Sequence, residues 1–141
     1  MNIWRLASVF LLATIGCGES VGPKVDPAIG GYSLTKVNTK PLPAAVTASG
    51  DIISSTAVDG SIFFNSDGTY SGIVEFRIVR ASGTTIEPYG VANGIWLRKN
   101  ATELQLLPKS GSEANVRALI TSDAATLNVI SQGLNYEYAR K

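Results

Sequence analysis

The residues able to do chemistry in this chain are few and scattered. There is no histidine and one cysteine, Cys17, among 141 residues. Missing histidine removes the usual general base and the commonest transition-metal ligand. A single cysteine forbids an intramolecular disulfide and a thiolate zinc cluster. Glu75, Glu87, Glu103, Glu113 and Glu137 stand singly, so each reads as a solvated surface charge rather than half of an acid–base pair. Serines are plentiful, but a serine nucleophile needs a base to activate it. Asp51, Asp59, Asp67 and Asp123 each stand alone in a turn-like setting, whereas a calcium loop needs several oxygen ligands close together. Gly90 and Gly94 do not open a helix, so they are not a phosphate loop. The expectation is a protein that is not an enzyme and holds no cofactor or metal.

What remains is a set of aromatics. Tyr32, Phe64, Tyr70, Phe76, Tyr89, Tyr136 and Tyr138 fall among apolar residues of alternating segments, where they either line a ligand cavity or fill a solid core. Trp96 stands on the opposite parity of its segment from Tyr89. With Phe63, Ile73 and Val79 it is a candidate for an exposed apolar patch that would meet a partner. Arg117 and Arg140 matter if they point inward, since a buried arginine needs an acidic partner or an anionic ligand. Arg140 shares parity with Tyr136 and Tyr138, and its place at a strand end predicts exposure.

Alternating segments separated by turns must position these groups. Residues 60–80 read as a long β-hairpin around the turn Asn65-Ser66-Asp67-Gly68-Thr69. Tyr70, Gly72, Val74, Phe76 and Ile78 share one parity and Ser71, Glu75 and Arg77 the other, which is strand alternation with one face in a core. Asp59-Gly60 reads as a further hairpin turn, between a short strand over 51–58 and the segment 61–64. Residues 38–43 read as a proline-bounded loop after a first strand over 31–37. Pro88, Gly90 and Gly94 mark a bend or bulge inside a longer segment, 85–99. Turns at 81–84, 108–111, 122–124 and 131–133 separate the later strands. Short strands with tight turns and no helical periodicity predict an all-β fold of about eight or nine strands. The sequential hairpins favour a small antiparallel up-and-down β-barrel, with a β-sandwich as the alternative.

The front of the chain carries a different signal. Arg5 precedes an apolar run over 6–15, too short to span a bilayer and of the length of a signal-peptide core. Thr14-Ile15-Gly16-Cys17 resembles the lipobox of bacterial lipoproteins, with Thr14 where leucine is commonest. That resemblance implies cleavage after Gly16, acylation of Cys17 and a membrane anchor. Gly18 stands where aspartate would hold some such proteins at the inner membrane, so the implied address is the outer membrane of the cell envelope. More than one acyl chain gives stable attachment. Loss of residues 1–16 leaves eleven basic and eleven acidic side chains, a balance with no field for nucleic acid. Residues 17–30, rich in proline and glycine, read as the acylated N-terminus and a tether, and residues 31–141 as the barrel domain.

Gly30, Tyr32, Leu34, Val37, Asn38, Leu42 and Pro43, with the Asp67-Gly68-Thr69-Tyr70 hairpin and the terminal Tyr136, Tyr138 and Arg140, resemble small bacterial lipocalin-like domains. Tyr32 stands where typical lipocalins have tryptophan. The resemblance implies a barrel that binds a small apolar or amphipathic ligand. The alternative is a solid barrel that serves as a structural or protein-interaction module at the outer membrane.

Overall fold

The structure, a computed structural model, describes residues 24–46, 48–110 and 116–141; the side chains of residues 89–92 lie outside the description. Ten strands follow in order: β1 Gly30–Val37, β2 Lys40–Pro41, β3 Ala44–Val46, β4 Ile52–Phe64, β5 Thr69–Arg80, β6 Gly83–Asn100, β7 Glu103–Pro108, β8 Val116–Ile120, β9 Thr126–Ser131 and β10 Leu134–Arg140. No helix occurs among the described residues. From β4 to β10 each strand pairs antiparallel with the next. β1 closes the sheet by pairing with β10 on one side and β4 on the other. The result is an eight-stranded antiparallel up-and-down barrel, with β2 and β3 as short additions. Closure through β1 rules out the sandwich and leaves the barrel strands without free edges.

The interior is built from strand alternation. Tyr70, Val74, Phe76 and Ile78 of β5 are buried, as are Leu104 and Leu106 of β7, Val116, Ala118 and Ile120 of β8, and Tyr136 and Tyr138 of β10. The parity read from residues 70–78 therefore faces the core.

Three local readings change. Asp59-Gly60 is no turn: β4 runs unbroken for 13 residues, with a bulge between Ala57 and Asp59. Glycine at 60 is required by close approach, since a Cβ there would sit 3.0 Å from Leu34 Cδ2 and from the Ile73 carbonyl oxygen. The loop over 38–43 begins as a tight hairpin instead, with Asn38 and Thr39 at φ 48° and 70° and Lys40 paired to Val37. Pro41 fits because β2 is an edge. Finally, β6 carries the expected bulge, where Gly72 pairs with Ala92 but Val74 pairs with Tyr89. The extra residue switches parity along β6, so Trp96 is buried rather than part of an outer patch, while Ile95 and Leu97 are exposed.

Candidate functional site: a barrel closed at one end and open at the other

The two ends of the barrel are built differently. At the end where β1 begins, aromatic rings fill the interior. Phe64 lies between Tyr32 and Trp96, in edge-on contacts with centroids 5.9 Å and 5.6 Å away, and tilts against Tyr70 at 6.2 Å. Such contacts add to the stabilisation that area burial alone provides. The Trp96 indole N–H donates to the Asn65 carbonyl at 3.1 Å, which ties the β4–β5 turn over the cluster. Gly94 permits the packing: a Cβ there would lie 2.1 Å from the Leu107 carbonyl oxygen and 2.8 Å from the Tyr70 ring.

Residues 26–29 cross this same end. Ala28 is fully buried, and its carbonyl accepts from the Tyr32 hydroxyl at 3.2 Å. The Asp26 carboxylate takes a two-pronged bond from Arg98, through Nε and Nη2. Arg98 beside Asp26 holds that carboxyl below the usual carboxylate range, against the opposing effect of burial. Arg140 donates to the Pro27 and Ile29 carbonyls and stacks 5.7 Å from the Tyr32 ring centre. Its exposure at the strand end is as expected, yet its donors are occupied. Arg117 lies outside, 3.1 Å from Glu103.

The opposite end, where β1 finishes and the 132–133 turn lies, holds a cavity of about 600 Å³. Val46, Ile52, Phe76, Ile78 and Leu134 supply apolar wall, and Asn38, Ser49, Ser55, Arg80, Glu87 and Gln132 supply polar groups. That volume and that mixture suit a small-molecule pocket. A second, smaller cavity of about 80 Å³ lies deeper in the barrel, lined in part by Tyr70, Tyr136 and Tyr138, and Gln132 borders both. Burial pushes the Tyr70 hydroxyl up to about 12, and raises Tyr138 as well, with the neighbouring Tyr136 adding to the effect.

The seven aromatics singled out from the sequence thus divide. Phe76 lines the open cavity; Tyr70, Tyr136 and Tyr138 line the deeper one; Tyr32 and Phe64 belong to the closed end. Tyr89 pairs with Val74 through its backbone, but its side chain lies outside the described residues, as does Cys17.

The polar rim was not legible as a site. Arg80 donates to both oxygens of Glu87, and its Nε lies 3.3 Å from Asp51. Arg80 first, and then the Thr85 hydroxyl, lower the Glu87 carboxyl below its ordinary value. Arg80 does continue the inward parity of residues 70–78, and that signal could have placed it here. Glu87 pairs with Phe76 in the unbroken register that runs from Arg80 and Gly83 at the β5–β6 turn. Asp67 and Asp123 serve their turns, accepting from the Thr69 and Ala125 amides.

The chain matches no protein-family model, no curated protein and no solved structure. What the geometry defines is a class: a small closed up-and-down barrel, plugged by aromatics at one end and hollow at the other.

Proposed function

We propose that this is a non-enzymatic envelope lipoprotein, anchored through acylated Cys17, whose lipocalin-like barrel binds a small apolar or amphipathic ligand at its open end. The observation that carries the reading is the cavity of about 600 Å³ with apolar walls and a polar rim. A pocket of this kind buries an aliphatic body while the rim orients a polar head. The two charged residues at the rim, Arg80 and Glu87, are engaged with one another.

The alternative, a solid barrel acting as a structural or interaction module, draws support from the filled closed end and from exposed Phe63. Native mass spectrometry of the detergent-free protein exposed to an envelope lipid extract separates the two. A lipid-sized adduct that is lost on denaturation supports the carrier reading; a mass that stays bare supports the module. The anchor has its own test. Cells expressing the full chain should incorporate labelled palmitate into the protein, and Cys17→Ser should abolish that incorporation. Labelling that survives the substitution would overturn the anchor.

A further inference from the structure

The charges at the open cavity restrict the head group that it accepts, an inference that rests on the ligand-binding reading above. Among the described residues lining the cavity, Arg80 and Glu87 are the charged ones. Arg80 is not available as a lone cation. Its Nη1 and Nη2 donate to Glu87, and its Nε lies against Asp51 at 3.3 Å. The one guanidinium is thus shared between Glu87, which lines the cavity, and Asp51, which is largely exposed beside it. Lys40 and Lys109 are exposed and are not lining residues.

An entering carboxylate meets no uncommitted cation among the lining residues and is repelled by Glu87. A hydrogen-bond donor finds the reverse. The Arg80 Nη2 contact to Glu87 is long, at 3.3 Å, and a carboxylate has about four acceptor positions, so Glu87 retains capacity to accept. We infer that the cavity selects single-chain amphiphiles whose head is an ammonium or a hydroxyl and discriminates against free carboxylates of the same chain length. Glu87 is the specificity-determining residue, and Asp51 acts through its contact with Arg80. The apolar wall from Ile52 to Leu134 holds the chain and is indifferent to the head.

Titration calorimetry of the full chain at pH 7 with dodecylamine, dodecanol and dodecanoate, each below its micelle threshold, tests this. The amine and the alcohol should bind at least tenfold more tightly than the carboxylate. Glu87→Gln should bring dodecanoate to within about threefold of the amine, because Arg80 then faces one carboxylate fewer. Asp51→Asn, at a largely exposed position, should act in the same direction and guards against misfolding of the first variant. A preference for the amine of less than tenfold, or discrimination unchanged in both variants, overturns the head-group rule and leaves the cavity reading standing. Failure of all three probes to bind overturns both.

Discussion

At the scale of single residues, the closed end depends on a few side chains whose loss is measurable. The Asp26–Arg98 pair joins residues 26–29 to β6 through two charge-assisted bonds. Asp26→Asn should cost about 2 kcal/mol at pH 7 in urea unfolding. The pH dependence follows from the direction of its shift. Asp26 has a lowered carboxyl in the folded state, so its contribution is complete above the unfolded value and is lost as pH falls through the folded one. The difference between wild type and variant should therefore be full near neutrality, shrink as pH falls below the unfolded value and be lost below the folded one. A difference that persists there would show that Asp26 acts through packing instead. Gly94→Ala should cost about 3 kcal/mol or more, since the added methyl would collide with the fixed backbone carbonyl of Leu107. Phe64→Ala, at the centre of the aromatic cluster, should cost about 3–5 kcal/mol. Trp96 lies in that cluster, so its fluorescence reports both losses.

At the scale of elements, legibility in the sequence tracks the regularity of the strands. β5 could be read correctly because its inward residues keep one parity from Tyr70 to Ile78 with no bulge of their own. The β9–β10 turn was equally plain, with Gln132 and Gly133 at φ 50° and 75°. β4 misled because Asp59-Gly60 has turn chemistry but serves a bulge and a close approach to Leu34. Burial of Trp96 was hidden by one extra residue in β6, since period-two reasoning loses its phase across a bulge. Deleting Gly90 makes the same point experimentally. Loss of the extra residue should drive Ile95 and Leu97 inward and Trp96 and Arg98 outward, abolishing a cooperative thermal transition followed by near-ultraviolet circular dichroism. A native-like transition in the deletion would show that the bulge does not set the register. Residues 26–29 were illegible for another reason: Ala28 is buried by contacts distant in sequence, with no local pattern to announce them.

For the whole molecule, the asymmetry of the barrel is what links structure to function. One end is closed by aromatic packing and by the segment that enters β1; the other keeps a hollow with a charged rim. The cavity itself was not readable from sequence, because it depends on volume left between side chains rather than on any motif. Ile52→Trp should fill part of that volume, weaken binding of dodecanol by at least tenfold and alter stability by no more than about 1 kcal/mol. The measurement closest to the central claim is amide and methyl NMR mapping of the protein titrated with dodecanol. Saturable shifts are expected at Ile52, Phe76, Ile78 and Leu134, with Tyr32, Phe64 and Trp96 unmoved. Shifts confined to the outer surface around Phe63 and Ile73, or no saturable shifts at all, would contradict it.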